Sequence, residues 1–321
     1  MKILVTGAAG HIGSNLARAL LNKGHEIVTL DNLSEGSRKN IKDIEDKMTF
    51  VEGDMRKLED VKKAMEGVEF IYHQGGPSSM LMYVDEPVDR TYSTVIGFLN
   101  ILETMRKLDV KRLVYASSGG VYEGNPCPHR EGMPLNPQDI KALAKRFVED
   151  MADLYATQYG FKVIGIRPFM VYGDDEKSKG NYASTISIHT WNMLNNETPV
   201  VWADGNQTRD FIHVEDVVRG YMMAMEKDYT HEIFNLATGL ETSMNQVIQY
   251  INEYLGTSFK QTYVPPKLPV YSLRSLADTT KAEKMLGFKA KIGVKEGIAR
   301  VIRANGGPAE PSSPNYYDKA A

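Results

Sequence analysis

Six apolar runs alternating with amphipathic stretches, a glycine turn between the first run and the helix after it, and an acid closing the second run predict an α/β chain. The architecture expected is a doubly wound parallel sheet, the Rossmann arrangement, with a smaller C-terminal substrate-binding lobe. The runs are 2–6, 26–30, 48–51, 70–73, 112–116 and 163–166, and helical periodicity marks 61–65, 95–108 and 142–159. Strands that recur with helices between them pair in parallel, because each crossover must return along a face of the sheet.

The first thirty residues carry the first chemistry. Gly7, Gly10 and Gly13 stand at Gly-x-x-Gly-x-x-Gly spacing directly after a buried strand, with His11 and Ile12 between them and helical periodicity continuing over 14–21. Gly7 permits a tight turn, Gly10 admits backbone N–H groups to a pyrophosphate, and Gly13 lets helix and strand pack closely. The helix N-terminus then faces the phosphates. Asp31, eighteen residues after Gly13, ends the second strand before Asn32, where a carboxylate accepts hydrogen bonds from an adenosine ribose and favours NAD over NADP. Taken alone, a glycine turn is as readily a steric device; the strand, helix and acid in this order give it the dinucleotide reading.

Composition narrows the partners. The chain has 321 residues, 42% hydrophobic content and a formal net charge of -3 from 38 basic and 41 acidic residues, so no electrostatic footprint for nucleic acid or an anionic membrane is expected. Cys127 is the single cysteine and rules out an internal disulfide. The apolar residues after Met1 meet glycine too early for a secretory signal, and no run of about eighteen apolar residues exists to span a bilayer. These features imply a cytoplasmic protein. The histidines show no paired ligand spacing, and no metal site is expected.

Beyond residue 172 the alternation loosens. A charged loop over 173–180 precedes a helix at 182–194, a strand at 200–202, a helix at 217–225, a strand at 233–237 and helices at 243–255 and 280–286. The expected division is an NAD-binding domain over 1–172, with a return segment at about 214–239, and a substrate-binding lobe over the rest of 173–305. Residues 306–321 are rich in Pro, Gly, Ser and Ala and read as a mobile tail.

Further motifs carry a family resemblance. Asp54 and Met55 follow the third strand; Gln74, Gly75 and Gly76 follow the fourth; 114–122 reads VYASSGGVY; Lys145 lies on the helix after it; and 205–217 reads GNQTRDFIHVEDV. With the glycine turn, these resemble the extended short-chain dehydrogenase/reductase superfamily, specifically its nucleotide-sugar epimerases and dehydratases, over nearly the whole chain to about Val301. The resemblance implies NAD as cofactor, with Asp54 and Met55 near the adenine, Gln74, Gly75 and Gly76 passing beneath the cofactor, Ser117 beside it and Lys145 on the nicotinamide ribose. It places Ser118 on the reacting sugar hydroxyl, Met170 against the substrate, and Arg209 and Arg274 on a nucleotide diphosphate. A guanidinium suits bidentate phosphate contact, although a lone arginine is more often a surface ion-pair partner. A UDP-hexose 4-epimerase-like conversion follows, with other nucleotide-sugar conversions as the alternative. Gly119 and Gly120 occupy positions where dehydratases carry Asp-Glu, which argues against 4,6-dehydration and decarboxylation. A homodimer packed through 95–108 and 142–159 is also implied.

The sequence departs from the family at its centre. In Pro137-Gln138-Asp139-Ile140-Lys141-Ala142-Leu143-Ala144-Lys145, Lys141 stands where the family's tyrosine removes a proton. Thr94 replaces an asparagine on the long helix, and Met170 replaces another. Lys141 and Lys145 share one helix face. A neutral Lys141 would be a base, a charged one an oxyanion stabiliser, and a solvated one the mark of a site that keeps NAD and nucleotide but has lost turnover. Glu123, where the family has glycine, is a minor candidate base.

Overall fold

A computed structural model describes residues 1–268 and 271–317. In chain order the first half comprises β1 (Lys2–Thr6), α1 (His11–Asn22), β2 (Glu26–Asp31), β3 (Thr49–Glu52), α2 (Leu58–Ala64), β4 (Phe70–His73), α3 (Met80–Asp85), α4 (Pro87–Leu108), β5 (Arg112–Ala116), α5 (Ile140–Tyr159) and β6 (Lys162–Pro168). The second half holds β7 (Met170–Tyr172), α6 (Thr185–Leu194), β8 (Val200–Trp202), β9 (Thr208–Arg209), β10 (Phe211–His213), α7 (Val214–Met225), β11 (His231–Leu236), β12 (Thr242–Ser243), α8 (Met244–Leu255), β13 (Thr262–Val264), β14 (Arg274–Ser275) and α9 (Val294–Ala304).

Seven strands form one parallel sheet in the order β11-β6-β5-β4-β1-β2-β3. Side chains of successive strand residues point to opposite faces, so Ile3 and Val5 join the core under α1 and α7, while Leu4 joins the core under α2, α4 and α5. Both faces are covered, which is why these strands read as continuous apolar runs. Strand order reverses between β1 and β4, and this opens a crevice at their carboxyl ends.

The long helices have legible ends. α4 starts on Pro87, whose fixed φ suits a first helical position, eight residues before the start expected from periodicity. α5 is capped by the Asp139 carboxylate, which accepts from Ala142 N at 2.8 Å, and stops at Gly160 with φ 68°. The helix expected at 280–286 is only a short π-type turn over Ala282–Leu286. α3 and α9 were not anticipated.

The second lobe packs α6, α8 and α9 through Ile186, Met193, Val247, Ile251, Ile298 and Val301. The expectation of a mobile tail is corrected for residues 306–317. Tyr316 is 1% exposed, lies edge-on to Tyr254 at 5.1 Å between ring centroids, and donates to Lys295 O at 3.0 Å. Ser312 N donates to Tyr254 O at 2.8 Å. Composition misled here because one aromatic anchor, Tyr316, outweighs its small and polar neighbours when a groove exists to bury it. Residues 318–321 lie outside the described residues.

Candidate active site

The turn from β1 into α1 is built of main chain. Gly7 has φ 70°, and a Cβ there would lie 2.7 Å from Gly75 Cα; a Cβ on Gly13 would lie 2.1 Å from Gly7 O. α1 begins at Gly10 with no side-chain cap, so the amides of its first turn, from His11, Ile12 and Gly13, remain for a ligand. Asp31 accepts from Ala9 N at 2.9 Å and Leu33 N at 2.8 Å, which fixes the carboxylate and still leaves lone pairs for hydroxyls. Asn32 follows it on the same wall.

At the end of β4, the Gln74 amide has both Nε2 and Oε1 buried with no partner among the described residues. A Cβ on Gly75 would meet Met55 Sδ at 2.7 Å, so Met55 and Gly75 touch as floor and rim, and Gly76 continues the edge with φ 130°. The Asp54 carboxylate is held by Arg56 Nε at 2.9 Å. All twelve residues assigned to the cofactor half of the site, from Gly7 to Gly76, line one cavity of about 610 Å³. Free helix amides, a fixed carboxylate, an unpartnered amide side chain and a rim that admits no Cβ fit a dinucleotide.

The turn after β5 carries the serines. Ser118 Oγ accepts from Gly120 N at 3.1 Å and lines the cavity. Ser117 also borders it, but its hydroxyl donates inward to Glu149, and Glu149 holds Arg167 through Nε at 2.7 Å and Nη2 at 2.6 Å. Arg167 donates on to the Tyr122 hydroxyl, which donates to Asn235 Oδ1 at 2.9 Å. This buried chain ties the serine turn, α5, β6 and β11 together, and it turns the Ser117 hydroxyl away from any cofactor.

Lys145 Nζ donates to Ala116 O at 2.8 Å, and the side chain is 7% exposed. Burial, and then the charge of Lys141, bring Lys145 down to about 8. Lys141, one turn earlier, lines the same cavity, and burial lowers it against the pull of Asp139 and Glu123. Glu123 faces it from the end of the serine turn. Burial and then the Asp139 carboxyl raise Glu123 to about 7. Met170 adds an apolar wall beside Phe169. Thr94 does not reach the cavity; it bonds the Tyr83 hydroxyl and Arg90 O instead.

The two arginines expected on a diphosphate part company. β14 pairs with β9 so that Arg274 lies opposite Thr208 and Ser275 opposite Arg209. Alternation sends Arg209 and Ser275 into the cavity and sends Thr208 and Arg274 to the other face, where both bond Glu241. Arg274 is 56% exposed in a bidentate ion pair with Glu241 at 2.7 Å and does not line the cavity. Arg209 donates to Thr208 O and Ser272 O, both at 2.8 Å, and lies 5.4 Å from the Tyr271 ring centroid. The next residue, Asp210, is buried and accepts from Thr238 N at 2.8 Å and Gly239 N at 2.9 Å.

Sequence reasoning missed Tyr271, Trp202, Lys179 and the Glu35–Arg90 pair, all of which border the cavity. Trp202 comes from the short strand β8, Lys179 from a 3-10 turn, Arg90 from the first turn of α4, and Tyr271 and Glu35 from loops, none with a local motif. Asp139 was not singled out in the sequence; its role as the cap of α5 comes from the structure. Among the described residues no group of three or more His, Cys, Asp or Glu is placed to hold a metal ion, and no helix is long and apolar enough to cross a membrane.

Fold and cavity together define a dinucleotide-binding protein of the doubly wound class, with a second lobe that closes an arginine over the same space. Comparison with known proteins gives the family. The model of the NAD dependent epimerase/dehydratase family matches residues 3–237. A relative from Methanocaldococcus jannaschii described as a putative UDP-glucose 4-epimerase is 39% identical over 304 residues, covering 94% of this chain and 97% of its own length. The crystal structure of UDP-glucose 4-epimerase with UDP-glucose from Thermotoga maritima superposes with a TM-score of 0.90 at 31% identity, covering 95% of this chain and 98% of that one. The Thermus thermophilus UDP-glucose 4-epimerase complex with NAD gives 0.87 at 30% identity, covering 95% and 99%. This chain belongs to the NAD-dependent epimerase/dehydratase family.

Proposed function

We propose that the protein epimerises a UDP-hexose at C4. The observation that supports this reading most is that Ser118, Lys141 and Arg209 converge on the cavity that also holds the glycine turn. A nucleotide diphosphate held by Arg209 leaves its sugar toward Ser118 and Lys141, next to the nicotinamide end marked by Lys145. Bound NAD supplies a reversible hydride acceptor for the ring carbon. The protein's own part is to orient the hydroxyl with Ser118, stabilise the oxygen with Lys141, hold the ribose with Lys145 and keep water out with Met170 and Phe169. Gly119 and Gly120 bring no acid to the ring, which leaves epimerisation rather than dehydration. The cytoplasm is the place this reading implies.

The test mixes purified protein with UDP-glucose, UDP-N-acetylglucosamine and their C4 epimers and follows product by NMR. Interconversion of at least one pair is expected. Nucleotide binding without conversion in any direction would sink the proposal in favour of a protein that keeps its ligands and has lost turnover.

Arg209→Met is expected to raise KM by about 10- to 100-fold, the equivalent of one or two charged hydrogen bonds of about 1.5–3 kcal/mol, while kcat changes little. Steady-state kinetics checks it, and an unchanged KM would remove Arg209 from the diphosphate.

We also propose a homodimer through α4 and α5, whose outer faces leave Val88, Tyr92, Leu143, Phe147 and Leu154 exposed. Light scattering is expected to show a dimer that Phe147→Glu converts to monomer; a monomeric parent protein at micromolar concentration would exclude it.

A further inference from the structure

We propose that Glu176 is a positioning residue that pins the loop 174–184 of the second lobe across the dinucleotide turn, so that the two halves of the cavity hold and release their ligands together. The cofactor half of this statement rests on the family; the nucleotide-sugar half rests on the function proposed above.

Glu176 is 1% exposed and does not itself line the cavity. Its carboxylate gathers groups from three places. Within the loop, Lys179 Nζ donates to Oε1 at 2.9 Å. At the start of α6, Ser184 N donates to Oε1 at 3.2 Å, Ser184 Oγ donates to Oε2 at 2.7 Å, and Ser187 Oγ also donates to Oε2. From the first turn of α1, His11 Nδ1 stands 3.7 Å from Oε1. Burial by itself would raise this carboxyl, but Lys179, His11 and the two hydroxyls outweigh burial and hold it at about 2, so it stays ionised near neutrality. A buried charge held by this many donors resists displacement, because any motion that strips a donor leaves it unpaired in a shielded space.

Two further contacts fasten the same loop to the dinucleotide side. Asn40 Nδ2 donates to Ala9 O at 3.0 Å and to Ser178 Oγ at 3.3 Å, and Arg18 of α1 lies 3.9 Å from Asp175. Ala9 belongs to the glycine turn, and its N–H is the one that Asp31 accepts. The loop therefore touches the turn, the helix that leaves it and the segment after β2. On its other side Lys179, Asn181 and Tyr182 line the cavity, and Ile188 and His189 of α6 continue that wall. A ligand resting on this wall restrains the loop, and a restrained loop holds His11 and Ala9 in place around the cofactor phosphates. Coupling of this kind runs through bonded and packed groups and acts equally in both directions.

The experiment uses the full-length, NAD-loaded protein, with UDP as the probe. Release of NAD is followed by trapping the freed cofactor as NADH with alcohol dehydrogenase and ethanol, with and without saturating UDP. In the parent protein UDP is expected to slow release by about 5- to 150-fold. Glu176→Gln keeps the shape and removes the charge. In this variant release without UDP is expected to be faster by about fivefold or more, and UDP is expected to change it by less than about twofold. Ser187→Ala removes one donor to Glu176 at a position that does not line the cavity, so it cannot act through a lost ligand contact. It is expected to reduce the UDP effect by about 2- to 10-fold, the equivalent of one hydrogen bond.

Circular dichroism and a melting curve accompany each variant. A lower Tm in Glu176→Gln with the UDP effect intact means that Glu176 serves stability alone, and overturns the proposal. A parent protein that binds UDP without any change in NAD release overturns it as well. Where Glu176→Gln does not fold, Ser187→Ala decides: a UDP effect equal to the parent's overturns the pin. Should calorimetry detect no binding of UDP to the parent, the nucleotide-sugar reading fails. The rate of NAD release from Glu176→Gln then decides the cofactor half, and a rate equal to the parent's overturns it.

Discussion

Gly13→Ala is expected to give a folded chain that purifies free of NAD and binds it about two orders of magnitude more weakly. The added Cβ would lie 2.1 Å from Gly7 O and 2.9 Å from Ala8 Cα, and both are main-chain atoms with no freedom to swing aside. Helix and turn must separate, which moves the amides of the first turn of α1 off the phosphates. Losing one or two charged amide contacts at about 1.5–3 kcal/mol each accounts for the expected drop. Gly132→Ala is the control, because its Cβ meets nothing within 4 Å. Calorimetric titration with NAD checks both, with circular dichroism to confirm folding. Parent-like affinity in Gly13→Ala would mean that the turn is not the phosphate site.

Lys141→Met is expected to lower kcat by about 10²- to 10³-fold, the effect of removing one preorganised donor from a developing oxyanion. Met keeps most of the length and removes the charge, and NAD content should hold because the proposed ribose contact belongs to Lys145, which donates to the Ala116 carbonyl. Single-turnover kinetics with a UDP-sugar reads the chemical step directly. Lys141→Tyr separates the remaining possibilities: higher activity in that variant than in the parent would show that this lysine marks lost chemistry instead of an altered site.

The cofactor half was legible in the sequence because it depends on local rules. A strand, three glycines at fixed spacing, a helix and an acid at the end of the next strand each report a backbone requirement within a few residues, and the structure places Gly7, Gly10, Gly13 and Asp31 around one cavity. The sugar half was less legible for a definite reason. Arg209 and Arg274 look equivalent as isolated residues, but the register of β14 on β9 sends only one inward, and register is a property of two distant segments. Glu123 and Asp139 are sixteen positions apart, and nothing in either segment shows that a turn and a helix cap converge. Tyr316 repeats the lesson: its segment has the composition of a loose end, and only the groove beside Tyr254 makes it part of the core.

The sequence by itself determined the sheet, the crossover helices, the dinucleotide turn and the presence of lysine where a tyrosine was expected, since periodicity, glycine spacing and side-chain identity are carried by neighbouring residues. Tertiary structure decided which arginine lines the cavity, which hydroxyl of the two serines is free of the buried network, and which acids stand beside Lys141. Those choices depend on side chains from separate elements meeting in a space shielded from water, where burial and neighbouring charge set what each group can do.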